Sequence, residues 1–408
     1  MKSRALRLEN GMRAFVYSYP QMESVCVAVG VDYGSIDDRK ENSGAAHYLE
    51  HMLFRGTKTR GTDDIKREVR EMGLVQNAFT TFENTIYFMQ GYSGYFSRMI
   101  GLLSDMVKNS TIPEREFMLE KGAVINENLL NRDNPESFFD ETFGRVLFRK
   151  HPARMSVGGT NGNIRRMKRG TLFGIYKKQY APKNMVLVIY GNVGLGRAEE
   201  EARRCFGGFS RNYVGKKREV ARETQDRREV EMRRKSLSHS IVGVGFKCSE
   251  FRKAAEKEMM SMFIASNILS DRLYDEIRDR RGLSYDPSTG YYPYSTFGFI
   301  GAQAGTEPGR AEEVKEVMLN EFGRLARGEI SEKEFRRARD GMSVKYRMRR
   351  ESTVGMAIST AAFTLLTGDY RFAEKIPEKL KGVGLEDVKR CCRKYIKEGK
   401  HSLLILRP

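Results

Sequence analysis

The chain has 408 residues, of which 40% are hydrophobic and 31% charged, a globular composition that excludes a disordered or collagen-like protein. At about 100 to 200 residues per domain, this length predicts two or three domains. The net charge of +19 favours anionic partners, but no nucleic-acid-binding motif accompanies it, so we do not expect specific nucleic-acid binding.

Cysteines and apolar runs bear on the cellular compartment. The chain has five cysteines, an odd number, and no C-x-x-C pair, so a disulfide framework is not expected. The first twenty residues lack a continuous apolar segment, and no apolar run approaches the roughly 18 residues of a membrane span. We therefore expect a cytoplasmic protein that has no contact with membranes.

Predicted elements, taken in chain order, occur twice. The strand-like run VAVGV at 27–31 resembles VGVGF at 242–246, which lies 215 residues further on. The segment IPEREF at 112–117 resembles ISEKEF at 330–335, at an offset of 218, and each opens a helix-like segment. Each half ends in a strand-like run, NMVLVIYG and HSLLILRP. Nearly constant offsets predict two homologous domains.

The fold class follows from the periodicity within each half. Helices are predicted near 64–72 and 95–108, and strands near 24–33 and 85–91. The prediction is an α+β protein whose two homologous domains each have a mostly antiparallel β-sheet with helices packed on it. Residues 211–235 are strongly basic and lack periodicity, so the predicted organisation is a domain at 1–210, a linker at 211–235 and a second domain at 236–408.

Residues 43–56 predict a helix that begins at a Ser43 cap and ends near Gly56, with Ala46, Leu49 and Leu53 buried.

Two histidines and a carboxylate share one face of this predicted helix. His51 lies one turn beyond His47, and Glu50 lies beside them. Histidines four residues apart on a helix can bind one zinc ion, and H-x-x-E-H is an inverted zinc motif. Composition alone predicts only about 0.005 such matches in a chain of this length. A further ligand is required, and the residue types leave several candidates: Glu83, Glu114, Glu116, Glu120, Glu127 and His151.

With this motif, the chain resembles the pitrilysin family of metallopeptidases over essentially its full length. The resemblance implies that Glu127, 76 residues beyond His51, is the third zinc ligand, and that Glu120 orients a ligand. The second half has no such motif and carries Lys345 and Ala338 at the positions equivalent to Glu127 and Glu120.

Two further segments have roles only through this resemblance. It implies that Arg278 and Tyr285 reach an active site and donate hydrogen bonds to a peptide carbonyl, although an arginine-rich helix end is ordinarily a solvated face. It also implies that Asn77, Ala78 and Phe79 form an edge strand that binds a substrate as an added strand. Without it, they would be a turn and a buried strand capped by Asn77.

The resemblance implies a zinc-dependent endopeptidase or oligopeptidase with one Zn²⁺ per chain and Glu50 as general base. Its substrates would be peptides or unfolded segments, cleaved in the chamber of a homodimer in which each subunit completes the site of its partner. The alternatives are a non-catalytic structural or substrate-binding subunit of the same fold, and a basic nucleic-acid-binding protein.

Overall fold

The computed structural model describes residues 2–213, 215, 218, 220, 223–251 and 254–408. Its strands are β1 (Lys2–Arg7), β2 (Arg13–Ser18), β3 (Ser24–Val31), β4 (Val75–Thr80), β5 (Thr85–Tyr92), β6 (Met185–Gly191), β7 (Arg228–Arg233), β8 (Ser240–Cys248), β9 (Ser288–Pro293), β10 (Gly298–Thr306) and β11 (Ser402–Arg407). Its helices are α1 (Ala45–Met52), α2 (Thr62–Glu71), α3 (Phe96–Asn109), α4 (Glu114–Asp133), α5 (Pro135–Leu147), α6 (Asn161–Arg166), α7 (Arg169–Gln179), α8 (Leu195–Ala202), α9 (Glu256–Leu273), α10 (Ala311–Arg327), α11 (Glu332–Met348), α12 (Thr353–Thr367), α13 (Phe372–Lys381) and α14 (Leu385–Tyr395).

The first of two compact units comprises residues 1–130, 156–217 and 348–374. Its six-stranded sheet has the order β1-β2-β6-β3-β5-β4, in which only the β2–β6 pair is parallel. Strand β3 has apolar residues on both faces: Val27 and Val29 join the core that includes α1, α3 and α7, whereas Cys26 and Ala28 face the core formed with α12. The sheet is therefore covered on both faces.

The second unit comprises residues 131–155, 218–347 and 375–408. Its sheet has the order β7-β11-β8-β10-β9, and only the β7–β11 pair is parallel. Helices α9, α10 and α14 pack on this sheet, and α5 packs against β7, β8 and β11. By chain order this sheet repeats the first one without β1, which confirms the α+β class with two mostly antiparallel sheets.

The spatial units correct the predicted domain boundaries, because the two halves exchange one helix each. Helix α5, from the first half of the chain, belongs to the second unit, and α12, from the second half, packs against β3, β5 and β6 of the first. These helices begin 218 residues apart and so are repeat equivalents. Each sheet has a second apolar face that requires a cover, and the periodicity of a helix does not identify the sheet that it covers.

The predicted linker at 211–235 also differs from the structure. Its residues 214, 216, 217, 219, 221 and 222 lie outside the described residues. Residues Arg228–Arg233 form β7, a sheet-edge strand that pairs with β11 through its backbone, so it forms without a continuous apolar pattern. Among the described residues, no helix combines the length and the apolar character needed to cross a bilayer.

Candidate metal centre

Helix α1 is shorter than predicted, and its N-terminus is capped differently. Ala46, Leu49 and Leu53 are fully buried as expected. However, the N-cap is Gly44, whose φ of +94° lies in the left-handed region, and a Cβ there would lie 2.6 Å from Gly158 O. The Ser43 hydroxyl instead lies 3.2 Å from the amide nitrogen of Asn163.

The carboxylate of Asp38 caps α1 in place of Ser43. Its Oδ2 accepts hydrogen bonds from the backbone N–H groups of Gly44 at 2.9 Å and Ala46 at 3.3 Å, and its Oδ1 accepts one from the Tyr33 hydroxyl at 2.5 Å. Because Asp38 lies in the loop before α1, the four-residue spacing used to find caps in a sequence does not detect it.

Helices α1 and α4 bring the two histidines of the motif to one glutamate. His47 Nε2 lies 3.4 Å from Glu127 Oε1, and His51 Nε2 lies 3.1 Å from Glu127 Oε2. Ligand atoms of these three residues all lie within 4.8 Å of one another. Among the described residues, no other group of three or more histidine, cysteine, aspartate or glutamate side chains is close enough to hold one metal ion.

This arrangement fits zinc. Two ligand atoms that each lie about 2.0 to 2.1 Å from a tetrahedral ion are about 3.3 Å apart, close to the two N···O separations here. Two imidazole nitrogens and one carboxylate oxygen also form a ligand set typical of catalytic zinc, which leaves a fourth position for water or substrate. The residues that would hold the ion are therefore His47, His51 and Glu127.

Glu120 holds the ring of His51 from the side away from Glu127. Its Oε2 lies 3.0 Å from His51 Nδ1, and its Oε1 lies 2.8 Å from Arg55 Nη2. This contact favours a proton on Nδ1, so Nε2 is the nitrogen that would bind a metal in place of the proton that it shares with Glu127. Glu120 is buried and lies about two helical turns before Glu127 on α4. It is the residue that the family resemblance predicts to orient a ligand.

The electrostatics of the cluster follow from these contacts. Burial lowers the pKa of His51, but hydrogen bonds with Glu120 and Glu127 outweigh it and raise that pKa to about 9. Hydrogen bonds from His47 and His51 hold the pKa of Glu127 far below its usual range. The pKa of Glu120 is also lowered: burial opposes this shift, while His51 and Arg55 favour it. Glu127 is therefore ready to bind a cation in its ionised form.

Glu50 stands beside this centre and is oriented by Thr80 on β4, whose hydroxyl donates a 2.6 Å hydrogen bond to Glu50 Oε2. Glu50 and His51 line a cavity of about 320 Å³ together with Phe54, Arg55, Ile65, Lys66, Gln76, Asn77 and Glu120. The roles of Thr80 and Arg55 at this site are not predicted from the sequence. The available signals were the position of Thr80 two residues beyond Ala78 on the same strand face and the position of Arg55 one turn beyond His51.

The segment predicted to bind substrate lies at the edge of the first sheet. Strand β4 pairs only with β5, so its other edge is unpaired within that sheet. Asn77 is exposed and lines the cavity, whereas Ala78 is buried and Phe79 packs against the core that includes α12. Only the backbone of Ala78 and Phe79 would therefore be available to a substrate strand, and their side chains serve the fold.

Arg278 and Tyr285 belong to the second unit. The Arg278 guanidinium lies 4.3 Å from the ring centroid of Tyr285 and 4.7 Å from that of Tyr274. Tyr285 is 79% exposed. The Arg278 guanidinium thus contacts both rings, and the approach of Arg278 and Tyr285 to a metal centre stays a prediction.

The other candidates for the third ligand do not join the histidine pair. His151 is buried in the second unit, where its Nδ1 accepts a hydrogen bond from the N–H of Ala153 and its Nε2 lies 3.2 Å from the Thr296 hydroxyl. Glu83, Glu114 and Glu116 lie outside the metal-ligating group.

The fold is that of a two-unit α+β protein whose first unit contains two histidines and a glutamate that could hold a metal ion. The family model described as insulinase (peptidase family M16) matches residues 14–161. The family model described as the peptidase M16 inactive domain matches residues 166–342. The chain therefore belongs to the M16 or pitrilysin family, which confirms the resemblance seen in the sequence.

Full-length relatives support this assignment. The chain is 24% identical over 405 residues to a zinc protease of Bacillus subtilis described as uncharacterized, YmxG, covering 98% of this chain and 97% of the relative. It is 25% identical to an uncharacterized zinc protease of Rickettsia bellii, covering 98% and 96%. The crystal structure of a Helicobacter pylori protease has the same fold, with a TM-score of 0.90 at 20% identity over 100% of this chain and 99% of that one.

Proposed function

We propose that this protein is a zinc-dependent endopeptidase or oligopeptidase that cleaves peptides and unfolded segments. The observation that carries the proposal is the convergence of His47 Nε2 and His51 Nε2 on the two carboxylate oxygens of Glu127, at 3.4 and 3.1 Å, with Glu50 on the adjoining cavity wall. The two relatives are named as uncharacterized zinc proteases, which agrees with the proposal.

When bound, zinc would supply Lewis-acid activation of water and of the peptide carbonyl. Glu50 accepts the proton of the attacking water, whose oxygen bonds to the carbonyl carbon, and then delivers that proton to the nitrogen of the departing amine as the C–N bond breaks. The hydrogen bond from Thr80 holds the Glu50 carboxylate toward the cavity. Asn77 and the free edge of β4 would hold the substrate as an added strand.

The proposal includes a second copy of the chain as partner and a substrate chamber enclosed by the two copies. A chain with two repeat domains would enclose only half of a chamber, so we propose a homodimer whose enclosed space admits peptides but not folded proteins. Arg278 and Tyr285 of one subunit would donate hydrogen bonds to the oxyanion formed at the metal centre of the other.

The decisive change is Glu50→Gln, which keeps the size of the side chain and removes its ability to accept a proton. We expect this variant to bind one zinc per chain but to lose about 10²- to 10⁴-fold in kcat/KM on a quenched fluorescent peptide. Metal analysis and peptide cleavage, each measured with and without a chelator, test this expectation. The matched control is Glu116→Gln, a glutamate of α4 outside the metal group, which should leave both readouts unchanged.

The same experiment separates the proposal from a non-catalytic subunit. A wild-type protein that binds zinc stoichiometrically but cleaves no peptide in a diverse library would favour the non-catalytic alternative. A wild-type protein that cleaves peptides equally well without metal would exclude the zinc mechanism.

A further inference from the structure

The two histidines of the metal centre are held in different ways. His51 is fixed through its ring, because Nδ1 contacts Glu120 while Nε2 faces Glu127. His47 Nδ1, in contrast, is buried and has no hydrogen-bond partner among the described residues. The direction of the His47 ring must therefore be set by its backbone and by packing, not by a second ligand-orienting hydrogen bond.

That backbone lies in the first turn of α1, where helical hydrogen bonds are fewest. The helix begins at Ala45, two residues before His47, and the first N–H groups of any helix have no partner within it. An eight-residue helix is also too short to be stable by itself. The position of His47 thus depends on contacts from outside the helix.

Asp38 supplies this contact. One oxygen accepts the N–H groups of Gly44 and Ala46, the residue directly before His47, and the other accepts the Tyr33 hydroxyl. Tyr33 is buried two residues beyond the end of β3, and its backbone carbonyl accepts a hydrogen bond from the Thr85 hydroxyl of β5 at 3.0 Å. The first turn of α1 is thereby tied to the sheet through one carboxyl group.

We propose that Asp38 is a positioning residue for the metal centre, which aligns His47 with Glu127 by clamping the first turn of α1. The inference rests on the zinc site proposed above, but it assigns to a loop carboxylate a role in metal affinity separate from its contribution to folding. Removing the clamp lets the first turn shift, so the His47 Nε2 position loosens while His51 stays held by Glu120.

The length and geometry of the residue 38 side chain matter more than its charge for holding the first turn of α1. Burial raises the pKa of Asp38 to about 7, against the hydrogen bonds that lower it, and a carboxyl group offers the two amides an acceptor oxygen whether or not it is protonated. An asparagine can present its carbonyl oxygen to Gly44 and Ala46 and its amide to the Tyr33 oxygen. A glutamate keeps the charge, but its extra methylene displaces the acceptor oxygens.

Four variants test the proposal through metal binding rather than catalysis: Asp38→Asn, Asp38→Glu, Asp38→Ala and, as a control, Asp37→Ala. Asp37 is the neighbouring carboxylate, whose Oδ2 accepts a hydrogen bond from the N–H of Gly34 at 3.0 Å. The readouts are the zinc dissociation constant, measured by competition with a chromophoric chelator, and the visible absorption of the Co²⁺-loaded protein, which reports ligand geometry. Thermal unfolding of the metal-free protein is measured in parallel.

We expect Asp38→Asn to bind zinc within about threefold of the wild type, and Asp38→Glu and Asp38→Ala to bind at least about tenfold more weakly, with altered Co²⁺ absorption. Asp37→Ala should resemble the wild type. If Asp38→Ala does not fold, the proposal is still tested by whether Asp38→Asn binds zinc more tightly than Asp38→Glu. Zinc affinity that follows charge, with Glu retained and Asn weakened, would overturn the proposal, as would unchanged affinity in folded Asp38→Glu. A wild type that binds no zinc would instead refute the proposed function.

Discussion

At the scale of single residues, the candidate metal centre depends on contacts among the described residues that hold His51 and Glu127, but not His47, on two sides. Glu127 faces both histidines, Glu120 faces only His51, and Arg55 balances the charge of Glu120. Because Glu120 and Glu127 approach opposite nitrogens of the same imidazole, Glu120 orients the ring and Glu127 would share a bound metal with it.

Glu120→Gln is expected to weaken zinc binding about 10- to 100-fold without removing a ligand, because an amide holds the His51 Nδ1 proton less strongly than a carboxylate. Chelator competition measures the loss, and Glu116→Gln on the same helix is the control. Zinc affinity equal to that of the wild type would assign Glu120 to charge balance with Arg55 alone.

His151 predicts a pH dependence of stability in the second unit. Burial lowers its pKa to about 4, despite the opposing effect of Glu223, whereas an unfolded chain has the ordinary value of about 6.5. The unfolded state therefore binds more protons between these values, so stability should fall by about 3 kcal/mol as the pH drops from 6.5 to 4. The pKa of Glu223, held at about 2, adds its own loss only below about 4.5.

His151→Asn tests this dependence, because its carbonyl oxygen can still accept the N–H of Ala153. Urea unfolding of both proteins is followed by circular dichroism at several pH values. The difference in free energy of unfolding between them should shrink as the pH falls from 6.5 to 4.5. A constant difference would mean that His151 titrates normally in the folded protein.

At the scale of elements, the exchange of α5 and α12 explains why both faces of each sheet are apolar. Strands β3 and β6 send alternate side chains to the two faces: Val27 and Leu187 to one, and Ala28 and Val188 to the other. One face is covered by helices from the same half of the chain and the other by the exchanged helix. An alternating apolar and polar pattern, which would mark a half-exposed sheet, is therefore missing from these strands.

Gly30→Val tests the packing of α12 on the first sheet. A Cβ at Gly30 would lie 3.1 Å from Leu365, 3.2 Å from Val186 and 3.3 Å from Ala361, so there is no room for a larger side chain. Overpacking should cost about 1 to 3 kcal/mol in the free energy of unfolding. The control is Gly174→Ala in α7, where a Cβ meets nothing within 4 Å and should stabilise by roughly 0.5 to 1 kcal/mol.

At the scale of the whole molecule, the proposed homodimer predicts that two variants with impaired activity regain activity when they form a mixed dimer. We expect mixed dimers of a Glu50→Gln subunit and a Tyr285→Phe subunit to regain about half of the wild-type activity, because one of their two sites would combine an intact Glu50 with an intact Tyr285. Two affinity tags allow mixed dimers to be purified before the peptide assay. Activity no higher than that of either parent would place Glu50 and Tyr285 in sites that are not shared.

The sequence by itself determined the zinc motif, the internal repeat and the class of fold. The i, i+4 spacing of His47 and His51 is local, so helix geometry alone places both on one face. Periodicity likewise located α2, α3, β3 and β5 to within about two residues, because buried faces impose it. Among six candidates, however, only resemblance to a family selected Glu127.

Tertiary structure decided the remaining features, because they join residues that are distant along the chain. The contacts of Glu120 with His51 and of Thr80 with Glu50 cross 69 and 30 residues, and no local spacing encodes them. The capping of α1 by Asp38 replaced the predicted Ser43 cap because Gly44 takes a left-handed conformation that turns the chain. The exchange of α5 and α12 was decided by which apolar sheet face each helix could cover, a property of the assembled layers and not of either helix alone.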